Sequence, residues 1–482
     1  MPAVIHILGL VLSGFSATFL LPLLCALVAH DGRAPDFLAG AIVSGGAGLA
    51  LIGLARPHAR ELKPRDGFLL VTLGLVTLSG VAAIPLLLAL PRLSVTAAYF
   101  EAMSGLTTTG ATLLTGLDHL PPSVNLWRCT LEWFGGLGVI VLGVAALPLL
   151  GVGGMQLHRA DTPGPMKEER LTPRIASTAR SLWLVYCVLT AAGIGALRFA
   201  GMSWLDAICH CFSAMSLGSF STHDASIAYF DSPAIEVVLA LIILVAAFNL
   251  TRHFVALRQL SLDTYAADPE ARAILLVLGL SVLGIALLLQ WHHVYRSFGV
   301  SLRHALFNVV SIATTCGLVS RDYTQWPVFA PFWMLFLSCL VASTGTAGGG
   351  IRMFRTLLLT RQAARELKLL VHPGAIVPVR VGGRAVPERV GHSVLAFIFL
   401  YFMAATVLIF LLLASGLDFQ SSLGAIIATL NNLGPGLGLV GPGRTYQALN
   451  AFQDWTCIIA MLLGRLEIFS VLVLFTPAYW RK

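Results

Sequence analysis

The chain has 482 residues, of which 57% are hydrophobic and only 11% charged, whereas soluble domains carry about 25% charged residues. Most of its surface therefore faces something other than water, which excludes a soluble globular protein. The formal net charge of +8 would suit a nucleic-acid partner, but the basic residues are distributed by topology, as shown below, and nucleic acid is not expected to bind.

Backbone polar groups in lipid must be bonded within the chain, so membrane segments are helices or a closed barrel. Unbroken apolar runs such as Val394–Ala414, with no alternation, select helices. Met1–Ala29 lacks a basic leader and is too long for a typical signal core, so it is expected to be a retained first helix. It pairs with Phe37–Ala55 in an N-terminal unit, residues 1–66. Eight cysteines are scattered without CxxC pairs and read as small apolar residues.

After this pair one pattern repeats four times. Each unit is a long apolar helix, a short amphipathic stretch ending in a Ser/Thr/Gly/Asn-rich turn, and a second long helix. The first unit, residues 67–177, is expected to hold Phe68–Leu90, Thr96–Leu106, the turn Thr107–Thr112 and Trp127–Leu150. The second, residues 178–270, holds Ser181–Phe199, Trp204–Met215, the turn Ser216–Thr222 and Ala234–Ala256. The third, residues 271–391, holds Ala273–Gln290, Leu302–Ala313, the turn Thr314–Ser320 and Pro327–Thr360. The fourth, residues 392–482, holds His392–Ala414, Phe419–Leu430, the turn Asn431–Leu439 and Ala448–Thr476.

The short stretches cannot span a bilayer, which takes roughly 20 helical residues. They read as re-entrant helices. The non-helical turn after each survives at membrane depth only where it lines a water-filled cavity. A pore helix followed by a polar turn is how a cation filter presents backbone carbonyls in place of an ion's hydration shell. Four copies in one chain would complete a ring.

The turns align without gaps. Ser104-x-x-Thr107-Thr108-Thr109-Gly110 matches Ser311-x-x-Thr314-Thr315-Cys316-Gly317; Ser213-x-x-Ser216-Leu217-Gly218-Ser219 and Asn431-Asn432-Leu433-Gly434 fit the same frame. Four matches in register after four short amphipathic stretches mark an internal repeat. The filter candidates are accordingly Thr108, Thr109 and Gly110; Leu217, Gly218 and Ser219; Thr315, Cys316 and Gly317; and Asn432, Leu433 and Gly434. Glycine suits a carbonyl whose orientation demands positive φ. Asp224 beside the second turn either concentrates cations at the mouth or caps a turn. Glu101 and Glu132 are expected to bond pore-helix backbone.

Of the 31 basic residues, 22 fall in the loops between repeats or at the chain end, on the side opposite the turns. By the positive-inside rule the filter faces outward and both termini lie in the cytoplasm. The all-α fold is thus four pseudo-symmetric helix–pore helix–filter–helix units around one pore. An intramembrane enzyme would need a nucleophile or metal constellation at membrane depth. The sequence has no HExxH and no paired intrahelical Asp. A secondary transporter built on inverted repeats conflicts with four units of one orientation, although flux coupled to H+ or Na+ stays open.

The stretches Thr107–Thr112, Phe220–Ser226, Asn431–Gly436 and Gly464–Ile468 closely resemble the TrkH family of the Trk/Ktr/HKT potassium-transporter superfamily, and the similarity covers the whole chain. The resemblance implies gated translocation of K+ across a bacterial inner membrane. It also implies a homodimer with one pore per subunit, and a cytosolic, nucleotide-responsive ring of the TrkA type as partner, docked on loops that include the basic stretch Arg352–Arg389. No nucleotide is expected on this chain itself.

Two further features gain meaning from that likeness. Gly348, Gly349 and Gly350 lie within Pro327–Thr360, where each glycine costs a helix about 1 kcal/mol. The segment either packs closely against a neighbouring helix or, as favoured here, breaks into an intramembrane loop, which serves as the gate in TrkH-like proteins. Arg465 is the one basic residue deep in an apolar stretch, where arginine is costly and faces a cavity or partner. It is expected to be a positive barrier in the pore or an anchor for the Gly348–Gly350 loop; the other reading is an ion pair with Glu467. Finally, Ser219 stands where the other turns have glycine; a shifted frame would put Gly218 there instead, but it breaks the Ser-x-x-Ser/Thr spacing and misplaces Phe220. HKT-type relatives with serine at a filter glycine favour Na+, so weaker discrimination of K+ over Na+ is expected.

Overall fold

The computed structural model describes residues 2–55, 64–145, 171–261 and 263–481. Arg56, Arg60, Lys63, Arg159, Lys167, Arg170, Lys482 and the end of the expected helix Trp127–Leu150 lie outside the described residues. Among those described, six helices are long and apolar enough to cross a membrane, or eight segments if each of two bent pairs is one span. Outward-facing side chains such as Leu24, Leu276, Phe399 and Phe410 are each more than half exposed. An apolar belt of this kind is a lipid-facing surface.

The N-terminal helices Pro2–Phe15, Leu20–Ala29 and Ala34–Ala55 dock on the first repeat through Trp127. Its ring stacks on Phe19 at 4.5 Å and meets Phe37 edge-on, while its Nε1 donates to the Ala82 carbonyl at 3.0 Å.

The four short helices form as Val95–Leu106, Trp204–Ser216, Phe298–Ala313 and Phe419–Leu430. Each begins in the same way. Ser94, Ser203, Ser297 and Asp418 are N-caps whose side chains accept the N–H three residues on, from Ala97, Asp206, Val300 and Ser421. Such a cap satisfies a donor that the first turn leaves orphaned. At about 1.5 Å per residue, none of these helices crosses a core about 30 Å thick.

The second helices of repeats 2 and 4 differ from expectation, while that of repeat 3 breaks as expected. In repeat 2 the expected Ala234–Ala256 is two helices, Pro233–Ala247 and Leu250–Gln259, meeting at 98°. Phe248 turns extended, and Asn249 caps the new helix by accepting from Thr251 N. In repeat 3, Phe329–Leu340 and Met353–Val371 are separated by a loop over residues 341–352. In repeat 4 the expected Ala448–Thr476 bends by 106° between Ala451–Arg465 and Phe469–Phe475, with Glu467 and Ile468 at φ 56° and 40°. A β-branched residue at positive φ is strained and persists only where its surroundings over-determine it. Here Glu467 is locked by Arg352 at 3.2 Å and Arg355 at 2.6 Å.

The core is divided among the repeats. Separate apolar clusters lie between Pro269–Trp291 and Phe298–Ala313, around Trp204–Ser216, and around Glu388–Ala414. The molecular axis is instead flanked by the polar turns.

Candidate ion-permeation site

The turns share one backbone conformation. Thr108, Leu217, Thr315 and Asn432 are all left-handed, at φ 52°, 53°, 65° and 53°. The next amide in each, of Thr109, Gly218, Cys316 and Leu433, donates to the carbonyl of Ser104, Ser213, Ser311 and Ala428 at 2.8–2.9 Å. The gap-free frame therefore holds in space as in sequence, and the shift that would align Gly218 with the glycines does not. At the third position Gly110, Gly317 and Gly434 have φ 74°, 82° and 93°.

Ser219 is the exception, outside the positive-φ set. Its amide does not bond back to the pore helix as those of Gly110 and Gly317 do. It is turned to Glu132 Oε1 at 3.1 Å, and its hydroxyl donates to the Thr109 carbonyl at 3.2 Å. Serine avoids the left-handed region, so this quarter of the ring is built differently.

The turns converge. A Cβ on Gly317 would stand 2.7 Å from that of Ser219, and one on Gly434 would stand 2.7 Å from the Thr109 carbonyl. Cross-links tie the repeats to each other: Asn432 Nδ2 donates to Thr109 Oγ1 at 2.9 Å, and the Cys316 thiol to the Gly218 carbonyl at 3.4 Å. Outside the ring lies a vestibule lined by Gly110, Ser219, Gly317 and Gly434 from the four repeats. Four helix C-termini point toward the turns, and their partial negative charge favours a cation.

Two buried carboxylates hold the filter from behind. Glu101 bonds the segment after the first turn and Glu132 the second turn itself, rather than the pore helices, contrary to expectation. Glu101 accepts from Leu113 N at 2.6 Å and Leu114 N at 3.2 Å, and pairs with Arg128 at 3.3 Å. Arg128 also reaches Thr112 Oγ1 and the Ser221 carbonyl, and lies over the Phe220 ring. Composition alone did not single out Arg128, but an intramembrane arginine with a carboxylate of the same repeat is a pair that spacing can suggest. Both side chains are fully buried. Arg128→Ala strands the Glu101 charge and is expected to cost about 3–5 kcal/mol, read as a large loss of melting temperature in detergent. Replacing both members by apolar residues should cost less.

Asp224 accepts from Gly116 N at 2.9 Å and Leu117 N at 3.1 Å, so it caps a turn of the neighbouring repeat while also lining the vestibule.

Beneath the ring, the loop of residues 341–352 is buried against the turns. Gly345, Gly350 and Arg352 have positive φ. Gly349 N donates to Thr315 Oγ1 at 3.1 Å, and a Cβ on Gly348 would lie 3.4 Å from Leu217 Cδ1. Arg465 donates from Nη1 to the Ala347 carbonyl at 2.5 Å and from Nη2 to the Gly135 carbonyl at 3.1 Å. Its partner is the loop, and Glu467 pairs with Arg352 and Arg355 instead. Sequence reading missed Glu270, which accepts from Ser343 Oγ and Thr344 N at 2.8 Å each. Its only signal was an acidic residue opening a spanning helix.

A ring of converging backbone turns, an outer vestibule and a loop beneath the ring define a membrane protein that passes cations. The family model for TrkH, described as "Cation transport protein", matches residues 36–482. The chain belongs to the TrkH family and, like its relatives, is not an enzyme. It is 45% identical to the Trk system potassium uptake protein TrkH of Escherichia coli K12, with 100% of this chain and 99% of that one aligned. It is 34% identical to TrkI of Halomonas elongata over 99% of this chain and 96% of that one. The crystal structure of the potassium transporter TrkH from Vibrio parahaemolyticus superposes with a TM-score of 0.93 at 44% identity, covering 100% and 99% of the two chains.

Proposed function

We propose that this chain takes K+ into a bacterial cell through a gated pore in the inner membrane, with both termini in the cytoplasm. The observation that carries the reading is the common left-handed geometry of the four turns, which aligns one backbone segment per repeat around a single vestibule. Carbonyls of Thr108–Gly110, Leu217–Ser219, Thr315–Gly317 and Asn432–Gly434 coordinate the dehydrated ion, with the four repeats delimited as above. Gly348–Gly350 and Arg465 form the gate.

The names of the relatives, which belong to a Trk system, support operation within a multi-component assembly. We assign it a homodimeric state and a cytosolic, nucleotide-binding ring of the TrkA type. Arg352 and Arg355 are buried on Glu467, so the docking surface falls to the exposed Arg361, Lys368, Arg380 and Arg389.

Purified protein in liposomes tests the reading. A K+ gradient should drive a flux whose reversal potential follows K+ and ignores imposed pH and Na+ gradients. A reversal potential that moves with either gradient would establish coupled transport, and absence of K+ flux would overturn the reading.

A further inference from the structure

Glu132 is fully buried, on the second helix of repeat 1, and its carboxyl is wedged against the second filter turn. A Cβ on Gly218 would lie 2.5 and 2.6 Å from its two oxygens, and one on Gly110 would lie 2.8 Å from Oε1. Oε1 accepts from Ser219 N and Phe220 N at 3.1 Å each. Oε2 has no hydrogen-bond partner among the described residues. The Ser213 hydroxyl, close by, gives its one proton to the Phe220 carbonyl at 2.7 Å. Arg128, the nearby cation, directs its guanidinium to Glu101, Asn125, Thr112 and Ser221. No ion pair among the described residues reaches Glu132.

Glu101, by contrast, has its arginine. A buried carboxylate left without a cation is strongly disfavoured unless something compensates it. With the turns as the filter, the permeating ion passes beside this one, along the Gly110 and Gly218 backbone against which its oxygens pack. Charges separated by a few ångströms of water-poor protein interact far more strongly than in bulk water.

We propose that Glu132 is the fixed counter-charge of the filter. Its carboxylate is balanced by the monovalent cation held in the four turns rather than by any protein group, and it thereby sets the apparent affinity for that cation. The inference rests on the turns being the filter. It adds a side-chain charge, contributed by repeat 1 and applied at repeat 2, to a site otherwise made of neutral carbonyls. Ion binding is then uneven around the ring, and strongest at the Gly110–Gly218 side.

The test is Glu132→Gln, which keeps the shape and, through its amide oxygen, the bonds from Ser219 and Phe220, while removing the charge. Initial K+ flux into liposomes is measured against K+ concentration, beside Gly110→Ala. The half-saturating K+ concentration of E132Q is expected to rise about ten-fold or more, with a smaller change at saturation and the K+ over Na+ order retained. An unchanged half-saturation in folded E132Q overturns the proposal, while an altered Gly110→Ala shows that the filter reading survives it. If Gly110→Ala also leaves flux and ion order untouched, the filter reading falls and the proposal with it. Should E132Q not assemble, the parental protein decides. Its melting temperature in detergent is expected to rise by several degrees when K+ replaces N-methylglucamine, and no rise would overturn the counter-charge role.

Discussion

Deleting Gly348–Gly350 is expected to raise K+ flux about ten-fold or more without altering the order of ion preference, since about 1.4 kcal/mol of lost closure is a factor of ten. The loop is closed by few bonds: Gly349 N to Thr315 Oγ1, Arg465 to the Ala347 carbonyl, and Ser343 and Thr344 to Glu270. A typical net hydrogen bond contributes about 1 kcal/mol, and one to a charged group about 1.5–3 kcal/mol. Removing the segment under the filter eliminates the first bond outright and slackens the second. Ion order is set above the loop by the turns and should stand. Arg465→Ala should act in the same direction, because it removes both the anchor and a cation beneath the ring. Flux assays on assembled protein decide the matter: parental flux in the deletion removes the gating role, and parental flux in Arg465→Ala makes that residue a packing element only.

Ser219→Gly is expected to raise the permeability ratio of K+ over Na+ roughly five-fold, equivalent to about 1 kcal/mol. Gly110, Gly317 and Gly434 adopt positive φ while Ser219 does not, and its hydroxyl occupies the Thr109 carbonyl. That carbonyl is itself one of the proposed ligands. Glycine would let the second turn take the conformation of the other three and would free the Thr109 oxygen for the ion. Bi-ionic reversal potentials of the two proteins measure the ratio. An unchanged ratio would show that the ring selects equally well with one serine in it.

The periodic features were legible. Four short amphipathic stretches, each closed by a Ser/Thr/Gly/Asn turn, marked the repeat, because a demand for positive φ is chemistry that residue types announce locally. The glycine run at Gly348–Gly350 likewise disclosed a broken helix. The breaks in repeats 2 and 4 were hidden. Asn249 stands where an apolar run passes into the mixed stretch Leu250–Gln259, which reads as a helix leaving the membrane rather than as a turn, and Ile468 is a residue that strongly disfavours the conformation it holds. Its strain is sustained by Arg352 and Arg355, more than a hundred residues away in sequence. The partners of Glu101, Glu132 and Glu270 were hidden for the same reason, whereas the loop was among the partners expected for Arg465. A buried charge advertises that it needs a partner without saying which.

One chain supplies all four walls of this pore, and so a substitution is dosed at one quarter. In a pore assembled from four identical copies, a serine at the glycine position would appear in every wall, and four hydroxyls would crowd an axis where one already approaches the Thr109 carbonyl. Here Ser219 changes a single wall, Glu132 charges a single wall, and the Gly348–Gly350 loop passes beneath from a single wall. Binding, selection and gating can therefore drift or be engineered separately, each by altering a different quarter of the same ring.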